Sequence, residues 1–194
     1  MHLIGRRTVA AMLAGATLTP VALPRKLSAQ TILTPRPEPE VELRSIDTMM
    51  PTNPPAPPAA QGFTDADGRD VTLAAFLGKG VVLNLWATWC SPCVAEMPAL
   101  DHLAATLAGE GIVVLPLSSD RGGAKVVRNF YDTHNIAHLG IWLDKFGEAA
   151  RGWGARGLPT SIIIDRQGNE RGRLEGGIAW DTDAAMATIR KLTA

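Results

Sequence analysis

In this chain a buried-strand pattern leads straight into a pair of cysteines. Val81–Trp86 is an apolar run broken only by Asn84, and Cys90-Ser91-Pro92-Cys93 follows after three intervening residues. From Val94 to Leu107 the apolar residues Met97, Leu100, Leu103 and Leu107 recur at helical spacing. A strand this apolar is buried on both faces, which happens when helices cover a largely parallel sheet. The chain must therefore pass from the end of a central strand into a helix, with both cysteines at the junction.

The pattern continues on both sides. Asp65-Ala66-Asp67-Gly68 is a turn between short strand candidates, so a β-hairpin opens the domain. Downstream, Ile112–Leu117 reads as a second buried strand and Ala124–His134 as a helix. Gly140–Leu143 reads as a short edge strand, followed by a helix near Phe146–Trp153. Thr160–Asp165 is a strand, Arg166-Gln167-Gly168-Asn169 its turn, Glu170–Glu175 the returning strand, and Thr182–Leu192 a closing helix. The expected class is α/β, with a central mixed β-sheet flanked by helices and an N-terminal β-hairpin extension.

Cys90 and Cys93 are the only cysteines. A bridge between them closes so short a loop that it removes little chain entropy, so stability is a poor reason for the pair to exist. Their placement favours chemistry. Cys90 falls at a helix N-terminus, where unpaired N–H groups and the helix dipole favour thiolate over thiol. Such surroundings lower a thiol pKa from about 8.5 to about 3.5–7.5, and the thiolate is the species that attacks disulfides. Half of a zinc site is the competing reading, with His134 and His138 as the other half. About 40 residues separate Cys93 from His134, against about 12–15 in a compact finger. No metal and no cofactor are expected.

The 194 residues carry a formal net charge of +0, so no basic field gathers phosphates and nucleic-acid binding has no electrostatic support. The N-terminus, residues 1–29, reads as an export signal. Arg6 and Arg7 supply its positive start, an apolar stretch runs from Thr8 to Leu23, and Ser28-Ala29 form a cleavage site before Gln30. The stretch is shorter than the roughly 20 apolar residues of a spanning helix, which favours a cleaved signal over a permanent anchor. An N-terminal membrane tether is the alternative. Arg6-Arg7, with Arg25 and Lys26 after the apolar region, also resembles a twin-arginine signal. Residues 30–60 read as a Pro-rich linker, with eight prolines between Thr34 and Ala60. Proline removes backbone donors, so this stretch is expected to be an extended spacer that packs no core. The folded domain is then 61–194.

Trp86-Ala87-Thr88-Trp89-Cys90-Ser91-Pro92-Cys93 resembles the active-site segment of the thioredoxin superfamily, and more narrowly that of exported TlpA/ResA-type thiol–disulfide oxidoreductases. Leu73 to Lys79, Asn84 to Cys90, Glu96 with Pro98, Gly157-Leu158-Pro159-Thr160 and Ile162-Ile163-Ile164-Asp165 carry the likeness, which covers about Gly62 to Leu192. The resemblance implies a thioredoxin fold and a redox role outside the cytoplasm, in the periplasm or on the outer face of the cytoplasmic membrane. It implies that Cys90 attacks and Cys93 resolves. It implies a cis-proline at Pro159 facing the dithiol, with the Leu158 backbone ready to pair with a substrate strand. Trp89, Ser91 and Pro92 join these two as expected substrate contacts.

Glu96, three residues after Cys93, is expected to influence the thiols, as an acidic residue does at this place in the family; the plainer alternative is a first-turn glutamate suited to the helix dipole. Asn84 departs from cytoplasmic thioredoxins, which have a buried aspartate there, and removes that proton relay. Pro98 is expected to kink the helix. Implied partners are exported proteins carrying disulfides, such as apocytochrome c or copper-oxidase assembly proteins, and a membrane thiol-reductant transporter. A disulfide-forming oxidant of the same fold and a non-enzymatic peptide-binding module remain open. A peroxidase reading lacks a cysteine in its own strand–helix setting away from the C-x-x-C.

Overall fold

The computed structural model describes residues 41–194; the export segment and residues 30–40 of the predicted linker lie outside the described residues. Eight strands form one mixed sheet: β1 (Met50–Ala56), β2 (Gly62–Asp65), β3 (Asp70–Thr72), β4 (Gly80–Trp86), β5 (Ile112–Ser118), β6 (Trp142–Leu143), β7 (Thr160–Ile164) and β8 (Glu170–Glu175). Among the described residues four α-helices accompany it: α1 (Ser91–Leu107), α2 (Ala124–His134), α3 (Glu148–Gly152) and α4 (Asp183–Leu192). The strand order is β1-β8-β7-β4-β5-β6-β2-β3. β4, β5 and β6 run parallel, and the remaining pairings are antiparallel.

The central strand β4 is buried along its whole length. Its side chains alternate between two cores, as the two-residue period of a strand requires. Val82 and Trp86 face Leu100, Leu103, Phe130 and Ile189, contributed by α1, α2 and α4. Val81, Leu83 and Leu85 face Ala149, Ala150 and Trp153, from α3 and the residue after it, together with Phe63 of the opening hairpin. Asn84 shares the parity of Val82 and Trp86, which directs a polar side chain at α1.

Two expectations are corrected. Gly140–Leu143 is not an edge strand. β6 is interior because the opening hairpin pairs with it, Thr64 opposite Leu143 and Asp65 opposite Trp142. The stretch up to Ala60 is not an unpacked spacer over residues 41–60. Ile46 is 2% exposed, Arg44 N–H donates to Gly177 O at 2.8 Å, and β1 pairs with β8. Thr52 Oγ1 donates to Glu170 Oε1, and Ala59 O accepts from Trp153 Nε1. The prolines of β1 are tolerated because this strand forms one edge of the sheet, where a missing donor costs no ladder bond. Helix α1 runs unbroken from Ser91 to Leu107 through Pro98.

Candidate active site

The turn between β4 and α1 carries the cysteines. Cys90 N–H donates to Ala87 O at 3.1 Å, and Cys90 is the N-cap of α1. Its Sγ accepts from Cys93 N–H at 3.3 Å. Pro92 lies in the first turn, where its missing N–H removes no helical bond. Cys90 and Cys93 are joined by a disulfide of 2.05 Å, with Cα atoms 5.2 Å apart. Cys90 retains 7% exposure and Cys93 none. Both cysteines are buried, Cys93 completely, and the small remaining exposure belongs to Cys90, a difference suited to an attacking and a resolving cysteine.

A second side chain holds this turn, and sequence reasoning missed it. Asp120, just beyond the end of β5, accepts from Thr88 N–H at 2.9 Å and from Thr88 Oγ1 at 2.8 Å. Ser118 Oγ donates to the same carboxylate at 2.8 Å, and Asp120 N–H donates back to Ser118 Oγ. Thr88 is two residues before Cys90, so Asp120 fixes the approach to the cysteine. The available signal was an acidic residue directly after a buried strand expected to lie beside β4.

Glu96 is fully buried. Its Oε1 accepts from Asn84 Nδ2 at 2.8 Å; its Oε2 accepts from Ile178 N–H at 2.7 Å and Trp180 Nε1 at 3.0 Å. Burial raises its pKa to about 7, and those three donors oppose the rise. This is more than a helix-start residue, because its partners lie on β4 and in the loop before α4. Asn84 also donates to Ser161 Oγ, while its Oδ1 has no partner among the described residues. Gly177 lets the loop come this close: a Cβ there would stand 3.1 Å from Pro92 O and 2.9 Å from Leu43 Cδ2.

The Leu158–Pro159 bond is cis, and Pro159 O accepts from Gly176 N–H at 2.9 Å. Trp89 is 71% exposed. It lines a groove of about 310 Å³ together with Leu158. Ser91 is exposed and Pro92 half-buried, but neither they nor Pro159 line that groove. Trp86 belongs to the core, fully buried and stacked on Tyr131 at 6.0 Å. His134 Nδ1 lies 2.9 Å from Phe130 O, and His138 Nδ1 lies 2.8 Å from Asp101 Oδ2. Among the described residues neither histidine forms a metal-ligating cluster with the cysteines.

Comparison with known proteins agrees with this geometry. Residues 54–171 match the AhpC/TSA family. A thiol-disulfide oxidoreductase ResA from Bacillus thuringiensis subsp. konkukian is 35% identical over 113 residues, 58% of this chain and 64% of that relative. The match thus spans less than two thirds of the relative's own length. The pneumococcal exposed lipoprotein thioredoxin Etrx1 from Streptococcus pneumoniae superposes with a TM-score of 0.57 at 28% identity, covering 69% of this chain and 99% of that one. A thiol:disulfide interchange protein of the thioredoxin family from Chlorobium tepidum superposes with a TM-score of 0.57 at 26% identity, covering 73% and 98%.

Proposed function

We propose a direction and a setting for the dithiol chemistry of this chain, which belongs to the AhpC/TSA family: it is a thiol:disulfide oxidoreductase that reduces disulfides of selected exported proteins. The observation that carries this reading is the Cys90–Cys93 disulfide at the N-terminus of α1, with Cys93 fully buried and Cys90 keeping the little exposure the pair has.

In the reducing direction, the Cys90 thiolate attacks one sulfur of a substrate disulfide. That S–S bond breaks, the leaving sulfur takes up a proton, and a mixed disulfide joins Cys90 to the substrate. Cys93 then gives up its proton and attacks the Cys90 sulfur. The mixed bond breaks and the second substrate thiol leaves protonated. Two electrons have passed to the substrate, and the chain ends as the Cys90–Cys93 disulfide. A dithiol donor of the membrane restores the reduced form. Glu96, one turn along α1 from Cys93 and with a pKa near 7, is the group we assign to receive the Cys93 proton.

Trp89, Ser91, Pro92, Leu158 and Pro159 are the assigned substrate contacts. The exported setting, periplasmic or on the outer face of the cytoplasmic membrane, rests on Arg6-Arg7 and the apolar stretch behind them. Cytochrome c maturation and copper-oxidase assembly are the processes that the resemblance to exported TlpA/ResA-type proteins implies.

The test is Cys93→Ser, which leaves the attacking thiolate but removes the resolving one. Incubated in reduced form with disulfide-containing exported proteins, it should accumulate mixed disulfides that dithiothreitol releases. The Cys90→Ser, Cys93→Ser double variant should trap none. Failure of Cys93→Ser to trap any substrate would overturn the roles.

A further inference from the structure

The groove beside Cys90 has a charge pattern that the dithiol chemistry does not need. Trp89, Leu158 and Phe146, the last 70% exposed, are its large apolar lining residues. Arg121, Lys145 and Arg151 also line it, and all three are exposed. Among the described residues none of the three is in an ion pair. A fourth cation on the rim, Arg156, is neutralised by a two-pronged pairing with Glu175. Among the described residues no Asp or Glu lines the groove. The whole chain is electrically balanced, with 19 basic and 19 acidic residues. Arg151 Nη1 donates to Phe146 O at 2.7 Å, so its charge is held beside that ring. Among the described residues, three cations with no carboxylate partner around two exposed aromatic rings are therefore a local concentration and not a share of a general excess.

Exposed aromatic rings next to arginine are the composition of recognition surfaces, where the rings anchor and the charges choose. Unpaired cations of one sign on a concave wall raise the local concentration of an oppositely charged partner and speed its encounter. Trp89 directly precedes Cys90 in sequence, so a segment seated on Trp89 lies next to the attacking cysteine, although Cys90 itself does not line the groove.

Resting on the reductase reading above, we propose that this groove is the substrate-recognition surface and that it selects protein segments with acidic side chains next to an apolar residue, beside the disulfide to be reduced. The apolar residue sits between Trp89 and Phe146, and the carboxylates face Arg121, Lys145 and Arg151.

Three synthetic peptides test this, each with one internal disulfide of the same spacing and one flanking leucine. The other flanking residues are aspartate in the first, lysine in the second and serine in the third. Each is reduced by the full chain in its dithiol form, and each rate is divided by the rate with dithiothreitol, which removes the intrinsic effect of charge on the peptide disulfide. At low ionic strength the aspartate peptide should react about 10-fold or more faster than the lysine peptide. In about 1 M salt, where the screening length is about 3 Å, that ratio should fall towards one. In the Arg121→Glu, Lys145→Glu variant the order should reverse, with rates normalised to those of the serine peptide on the same variant. Equal normalised rates for the three peptides at low salt, or an order unchanged by charge reversal, would overturn the selection while leaving the reductase reading intact. Reduction of none of the peptides would overturn both.

Discussion

Asn84 Nδ2 donates a 2.8 Å hydrogen bond to Glu96 Oε1 between β4 and α1, where both side chains are fully buried. The contact joins the strand that leads into the cysteines to the helix that leads away from them. The other oxygen of Glu96 binds Ile178 N–H and Trp180 Nε1, so a single carboxyl ties together strand, helix and the loop before α4. An asparagine can donate to this group but cannot accept its proton. The titratable site in this interface is therefore on the helix, one turn from Cys93.

That placement sets a pH dependence with a definite sign. Burial raises the Glu96 pKa from 4.5 to about 7, so between those values the native state holds a proton that the unfolded chain releases. The stability contributed by this proton is fully present below about pH 4.5 and is lost as pH rises through 7, by roughly 3 kcal/mol in total. Glu96→Gln, the neutral counterpart of the protonated acid, should remove this slope. Urea unfolding of both forms at pH 5 and pH 8 should show the wild type losing more stability than the variant, and parallel losses would contradict the assignment. The pH profile of disulfide exchange should lose its inflection near 7 in the same variant.

Trp180→Phe removes one donor from Glu96 while keeping an aromatic ring in the core. The Glu96 pKa should then rise further, because one of the bonds opposing burial is gone. At pH 8 the loss should be about 1–3 kcal/mol, the cost of an unmade bond to a buried charge. At pH 5 the loss should be smaller, because the carboxyl is then protonated.

Asp120→Ala breaks the bonds that fix Thr88. A loss of about 1–3 kcal/mol is expected, since the buried Ser118 hydroxyl and the part-buried Thr88 donors lose their acceptor. The amide of Thr88 should show the largest fall in hydrogen-exchange protection, while the α4 amides keep theirs. A uniform loss of protection would make Asp120 a general stabiliser and not a holder of the active-site turn.

Ile46→Ala tests the packing of the segment before β1. Ile46 is 2% exposed and belongs to the core shared by α1 and α4. Truncation should cost about 2–4 kcal/mol, as for other buried aliphatic residues. A change within about 0.5 kcal/mol, normal for a surface position, would return residues 41–48 to linker.

The elements around the site were legible where periodicity speaks. The apolar run into Trp86 and the helical spacing after Cys93 placed β4 and the body of α1, and Ala124–His134 matched α2 at both ends. What stayed hidden depends on partners far away in sequence. β6 has only two residues, and no local pattern says that a hairpin near residue 65 will cover its outer edge. Prolines in Met50–Ala56 argue against a strand in a sheet interior, but they do not forbid an edge strand, and position within a sheet cannot be read from composition. Glu96 was legible as a candidate from its spacing to Cys93. Its partners Ile178 and Trp180, 82 and 84 residues on, and the Asp120–Thr88 pair are products of the fold.

The most direct test of the central claim is the reduction potential of the Cys90/Cys93 couple, measured by equilibrating the purified chain with defined thiol–disulfide buffers. A reductase predicts a value near that of thioredoxin, about −270 mV. A value towards about −120 mV, that of a strong disulfide-forming oxidant, would contradict the proposed direction of electron flow.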